Sequence, residues 1–222
     1  MRASTSASLR AAIARQPKEI IFHLNSAAIY MVKQDYQSAE DTYKKALDLD
    51  PKSSLARAAL ATVFLAQGKQ EKAEQELLTM TKADPENGEL VRILGNFYTR
   101  TRQLDQLEKL YRDLLVRKPD SLAARKVLAE LSLSNGDLKQ AREFTDAILK
   151  ADPDDLQGRF FQGRLLLAEE DYEKASQLLT AVTLDSPEHA PAFYHLGVAK
   201  VGLRQTDAAR RALTKATELN PS

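Results

Sequence analysis

Proline recurs at positions 17, 51, 85, 119, 153, 187 and 221, always 34 residues after the last, and only Pro191 of the eight prolines lies off this register. A fixed period of that length requires a stack of equivalent supersecondary units, each leaning on its neighbours. It directs the functional reading away from catalysis and toward holding other proteins.

The chemistry around each proline is equally regular. Segments such as Leu47-Asp48-Leu49-Asp50-Pro51 and Leu149-Lys150-Ala151-Asp152-Pro153 run into it. Proline excludes helical geometry at the residue before it, so each one closes a helix. Two residues later stand Ser53, Asn87, Ser121 and Asp155, whose side-chain oxygens accept from the free amides of a new helix. A second joint falls at the fifteenth position of each unit, counted from the third residue after its proline. Gly68 and Gly136 hold it in two units, and Lys33-Gln34-Asp35 and Glu169-Glu170-Asp171 span it in two others. Glycine there ends a helix in the left-handed conformation and the aspartate caps the next one. Each unit is therefore predicted to be two helices joined by short turns, with no alternating β-branched run to suggest strands.

The apolar positions repeat in the same frame. Position 7 is Leu60, Leu94, Leu128 and Leu196; position 8 is small throughout, as Ala27, Ala61, Gly95, Ala129, Gly163 and Gly197. Position 11 is Tyr30, Phe64 and Tyr98 in the first three units, and position 20 is Ala39, Ala73, Ala141, Ala175 and Ala209, with Leu107 the exception. Small residues at 8 and 20 let the paired helices approach, and bulky ones at 7, 11 and 24 fill the space between units.

These residues resemble the tetratricopeptide repeat family, whose signature places a bulky aromatic at 4, Leu at 7, Gly or Ala at 8, Tyr at 11, Ala at 20 and 27 and Pro at 32. The match spans repeats 20–53, 54–87, 88–121, 122–155, 156–189 and 190–222, with residues 4–19 fitting as the second helix of a preceding repeat through Leu9, Ala12 and Pro17. The resemblance implies an all-α, right-handed superhelical solenoid of antiparallel helix pairs, forming one domain over residues 1–222. Two departures stand out. Position 4 carries Arg57, Arg125 and Arg159, with Phe193 its single aromatic, and position 27 carries Met80, Leu114, Ile148 and Val182 in four units. These are expected at most to loosen particular joints. The chain begins inside a repeat and stops one residue after the last proline, which reads as a segment of a longer repeat protein.

Several function classes are disfavoured. The net charge of +1 is too balanced for a sequence-blind phosphate binder, so nucleic acid is not the expected partner. No run of 18 apolar residues suggests a membrane helix. Without cysteine, thiolate metal sites and disulfides are excluded, and cytoplasm and bacterial periplasm both stay open. His23, His189 and His195 lack ligand spacing, with His189 standing where other units carry a helix cap. No phosphate-cradling loop or nucleophile elbow is present. The expectation is a protein that is no enzyme and needs no cofactor or metal. Charge is uneven along the chain, with Gly88–Lys126 holding nine Lys or Arg against five Asp or Glu, and Asp146–Glu188 four against ten.

In this family the first helix of each unit lines the concave groove through positions 2, 5, 9 and 12, which share one helical stripe. Leu24, Ala28, Met31 and Leu55 then form an apolar N-terminal end, Arg92, Asn96, Lys126 and Glu130 a polar and basic middle, and Phe160, Arg164 and Tyr194 a partly aromatic C-terminal end. The expected ligand is a peptide or helix of another protein, its apolar side chains on Leu24, Met31 and Leu55 and its carboxylates or backbone held by Arg92, Asn96, Lys126 and Arg164. Arg92 and Asn96 resemble half of the clamp that grips chaperone tails. Val127, Gln157 and Phe161 stand where the other half is needed, so a chaperone-tail receptor is not expected. The run Ala190–Ala199 is similar to repeats of periplasmic scaffold lipoproteins tied to exopolysaccharide export. The resemblance thus implies a non-catalytic scaffold, with a bacterial envelope or exopolysaccharide export assembly as its setting. Two alternatives accompany it: a regulatory or substrate-docking module of a larger enzyme such as a glycosyltransferase, and a scaffold that self-assembles into a homo-oligomer through its repeat ends.

Overall fold

The computed structural model describes residues 19–220, so the half repeat expected over 4–19 falls, but for Glu19, outside the described residues. Those residues form twelve α-helices and no strand. In chain order they are α1 (Ile20–Val32), α2 (Tyr36–Leu49), α3 (Ser54–Ala66), α4 (Gln70–Ala83), α5 (Gly88–Arg100), α6 (Leu104–Arg117), α7 (Leu122–Asn135), α8 (Leu138–Ala151), α9 (Leu156–Ala168), α10 (Tyr172–Asp185), α11 (Ala190–Gly202) and α12 (Thr206–Leu219). Each repeat contributes one consecutive pair. No helix is long and apolar enough to cross a membrane among the described residues.

The helix ends follow from side-chain chemistry. Ser53 accepts from the Ala56 amide at 3.2 Å, Ser121 from Ala124 at 3.3 Å and Asp155 from Gly158 at 2.8 Å, while Asn87 takes the Glu89 amide at 3.1 Å. In the last repeat His189 fills the role, its Nδ1 accepting from Ala192 at 3.0 Å. Asp35, Asp137 and Asp171 cap second helices α2, α8 and α10 in the same way. The midpoint turns show a regularity that composition conceals. Gln34, Gly68, Arg102, Gly136, Glu170 and Arg204, one per repeat, all have φ between 57° and 75°. Glycine takes this left-handed conformation without strain, and the four larger residues hold it at a cost of about 1 kcal/mol each. The fold's need for a tight reversal overrides residue preference there.

The helices form two compact units, Met1–Gln103 and Leu104–Ser222. In the first, α1 to α5 pack each on the next, with Ala27, Ala39, Ala61 and Ala73 at the close approaches and Leu60, Phe64, Leu94 and Tyr98 filling between them, all buried. A buried acid, Glu40 on α2, is balanced by Lys44 at 2.6 Å and by Lys69 of the α3–α4 turn at 3.3 Å. In the second unit α6 to α12 pack consecutively, and α9 also touches α7 and α11. Its core joins Ala129, Ile148, Phe160, Phe161, Leu179, Val182 and Leu196.

The arginines in place of an aromatic at position 4 do not leave open joints. Arg57 reaches Glu76 at 2.6 Å and the Pro51 carbonyl at 3.0 Å, Arg125 donates to the Pro119 carbonyl at 2.5 Å, and Arg159 pairs with Asp185 at 2.7 Å. Two of the three therefore clip the proline turn that precedes their own helix.

Candidate functional site

The residues expected to form a stripe on the first helices divide between the two units. In the first unit, Leu24 and Met31 of α1 are half-buried, Ala28 is exposed, and Leu55 at the start of α3 is 64% exposed. Between α3 and α5 lies a cavity of about 180 Å³, walled by Ala58, Thr62 and Leu65 from α3 and by Arg92, Asn96 and Arg100 from α5, with Leu77 and Phe97 at its floor. Small residues make the cavity. Ala58 and Ala61 leave space that a larger side chain would occupy.

Arg92 faces this cavity already engaged. Its Nε and Nη2 donate to Glu89 at 2.9 and 2.6 Å, and that hydrogen bonding holds the Glu89 carboxyl below its ordinary range. Glu89 and Arg92 are both well exposed, so the pair contributes little to stability. It nevertheless removes the uncompensated charge expected there.

The second unit repeats this neutralisation. Lys126 on α7 meets Asp155 at 2.5 Å. Burial works against charge on Asp155, but the Lys126 hydrogen bond and the Gly158 amide outweigh it and keep the carboxyl below its ordinary value. Lys126 thus secures the cap of α9. Arg164 donates to both oxygens of Glu130, one repeat away, at 2.7 and 2.8 Å. The cations read from sequence as a basic centre each stand in an ion pair.

Phe160 requires a correction. Expected as a groove contact, it is 5% exposed and forms floor instead. The His189 ring lies 4.7 Å from it, the His195 ring 5.5 Å, and the Arg164 guanidinium covers it at 5.6 Å. Tyr194, edge-on to His195 at 5.2 Å, stays 54% exposed. No group of three or more histidine, aspartate or glutamate side chains that could hold a metal occurs among the described residues.

His195 gives this cluster a pH signature. Burial first, then the Arg164 and His189 charges, lower its pKa from 6.5 to about 4, against an opposing pull from Glu130. The unfolded chain therefore takes up this proton below about pH 6.5, and the folded chain does so only near pH 4. The associated stability is complete above pH 6.5 and is lost as pH falls through that window. After allowance for partial solvent screening, about 1–2 kcal/mol is at stake. Urea unfolding at pH 7.5 and 4.5 should show His195→Gln losing that much less stability than the parent between the two conditions. Equal losses would show that His195 does not titrate in this way.

Arg100 and the floor residues Leu77 and Phe97 were missed by the sequence reading. Arg100 had a visible signal, since it continues the four-residue spacing of Arg92 and Asn96 on α5. The floor residues belong to the ordinary repeat core and carry no such mark.

Comparison with known proteins accords with this architecture. A tetratricopeptide repeat profile matches residues 31–97, 103–159 and 166–222, and a second of the same description matches 6–54. No curated protein matches the chain. Among solved structures, a tetratricopeptide repeat protein from Parabacteroides merdae is similar over 99% of this chain and 87% of its own, with TM-score 0.65 and 20% identity. Pseudomonas aeruginosa PilF aligns over 91% and 92% respectively, with TM-score 0.64 and 20% identity. Yeast Tom70 aligns over 98% of this chain and 46% of its own, with TM-score 0.65 and 18% identity. Repeat period, helix pairing and profile match agree, and the chain belongs to the tetratricopeptide repeat family.

Proposed function

We propose that the chain grips a segment of a partner protein on the first-helix face of its first unit, with one apolar side chain seated between α3 and α5. A fold of this family is in general a scaffold for protein–protein interaction. The observation that carries the finer reading is the cavity of about 180 Å³ whose floor is Leu77 and Phe97 and whose rim bears Asn96 and Thr62. Such a space takes a branched aliphatic or methionine side chain, while the Asn96 amide both donates to and accepts from an adjacent peptide group. Leu55, Leu24 and Met31 extend the apolar surface along the unit.

The ion pairs alter the expected chemistry of the ligand. Arg92 must be drawn from Glu89 before it can hold a carboxylate, so acidic residues in the partner gain little. Affinity then rests on apolar burial and fit. Thr62→Trp tests this. Thr62 is exposed at the cavity rim and its hydroxyl bonds only within its own helix, to the Ala58 carbonyl, so an indole fills the cavity without disturbing the core. Peptides selected from a random library on the parent protein should bind the variant at least tenfold more weakly, and Val116→Trp on the second unit should leave them unaffected. Undiminished binding to Thr62→Trp would place the ligand elsewhere.

A further inference from the structure

The side-chain caps of the first helices are alike in place and unlike in chemistry. Ser53, Asn87, Ser121 and Asp155 receive backbone amides on hydroxyl, amide and carboxylate oxygens. None of these acceptors is lost in mild acid. Hydroxyls and amides do not titrate there, and the Asp155 carboxyl is held below its ordinary range. His189 differs. Its Nδ1 accepts from the Ala192 amide at 3.0 Å, which requires the neutral ring with its proton on Nε2. A second proton occupies the Nδ1 lone pair and turns the acceptor into a donor facing another donor.

The backbone of α11 concentrates the cap on that one bond. Asn87 serves the amides of both Glu89 and Leu90. In α11 the corresponding first position is Pro191, which has no N–H, so the imidazole serves Ala192 alone. That amide also reaches the His189 carbonyl at 3.0 Å, and proton uptake therefore loosens the turn without stripping the amide of every partner.

The surroundings oppose a cation as well. The His189 ring lies 4.7 Å from that of Phe160, which the Arg164 guanidinium already covers at 5.6 Å. His195 is near enough to feel a His189 charge, and the amides at a helix N-terminus are themselves positive. The other charged groups on the elements that meet here are paired: Arg159 of α9 with Asp185 of α10, Arg164 with Glu130, and Asp155 with Lys126. Glu188 precedes His189 and is exposed, so water screens its attraction for an imidazolium. Tyr194 stands edge-on to His195. His189 is half-buried, and solvent protons reach it.

We propose that His189 is a proton-operated cap that fastens the first turn of α11, with Tyr194, when neutral and releases it when protonated. The capped turn excludes a proton from Nδ1, so falling pH favours the released turn and rising pH restores the cap. Tyr194 is 54% exposed on this turn. The first-helix face of the second unit thus carries one segment whose order depends on pH.

Amide exchange of the whole chain, followed by NMR at pH 7.5 and 5.0 and corrected for the intrinsic rate at each pH, reads the turn directly. Protection of the Phe193 and Tyr194 amides should fall at least threefold at pH 5.0. The matching Arg159 and Phe160 amides, behind the Asp155 cap, should hold. His189→Asn, which carries the acceptor found at Asn87, should protect the turn equally at both pH values. His195→Gln should leave the fall in place. Ring nitrogen shifts of the parent at pH 7.5 should report the Nε2–H tautomer of His189, a readout that needs no variant. Unchanged protection in the parent, a fall shared equally by α9, a fall that survives in His189→Asn, a fall abolished by His195→Gln, or the Nδ1–H tautomer would each overturn the proposal.

Discussion

Phe161→Ala should cost about 4 kcal/mol of folding stability, near the upper range for emptying a buried aromatic site. Phe161 is fully buried on α9 and is the largest such side chain among the described residues. It stands in the core formed by Ile148 of α8, Leu179 of α10 and Leu196 of α11, with the Phe160 ring centre 6.1 Å away. Three consecutive helix pairs therefore lose a common partner. Collapse into the vacated space is resisted, because the surrounding residues are themselves pinned between neighbouring helices. In a linear array stability is a sum of repeat and nearest-neighbour terms, so the damage should concentrate in α8 to α11. Urea denaturation gives the total, and amide exchange gives the distribution, with protection falling in α8–α11 and holding in α1–α3. Val116→Ala, at an 83% exposed position, should stay within about 0.5 kcal/mol of the parent. A loss below about 1.5 kcal/mol for Phe161→Ala would mean the site repacks, against the density argument.

The periodic register was enough to place every described helix, because its signals act locally. Proline stops a helix, and Ser53, Asn87, Ser121 and Asp155 restart one through hydrogen bonds three residues or fewer in reach. The division into two units at Gln103 left no mark of that kind, since the period runs through it unchanged. The spacing of the candidate residues on one helical stripe was legible, and the partners of their cations were not read from it. Glu89 lies three residues before Arg92, a spacing at which helical side chains meet. Glu130 lies one period before Arg164, and so on the adjoining repeat. Both spacings are present in the sequence, while the contacts themselves depend on side-chain geometry. The burial of Phe160 is different in kind. Position 5 belongs to the outward stripe in other repeats, and in this one two histidine rings from the next repeat close over it. That depends on three-dimensional packing, as does the cavity between α3 and α5.

Gly163→Val should destabilise the protein by about 3 kcal/mol, the upper end of what overpacking usually costs. Gly163 lies at the small position of α9, where a Cβ would stand 2.7 Å from Cδ2 and 2.8 Å from Cγ of Leu179 on α10. Leu179 is itself fully buried, so it has no open space into which to retreat. The small-residue rule alone would pass alanine here, as at Ala27, Ala61 and Ala129. The distances say that in this repeat even alanine is too large. Gly163→Ala carries two opposing terms, since alanine favours a helix interior by about 1 kcal/mol over glycine while the clash with Leu179 costs more than that. The net effect should be a loss of about 1 kcal/mol, the clash exceeding the propensity gain. Shortening the partner separates the terms. In a Leu179→Ala background, itself costing about 3 kcal/mol, Gly163→Ala should reverse sign and stabilise, leaving only the propensity gain. A substitution equally harmful in both backgrounds would mean that Gly163 is required for backbone reasons unconnected with Leu179. Reversal would establish that the approach of α9 to α10, and with it the seating of the Phe160–His195 cluster, is set by the absence of one methyl group.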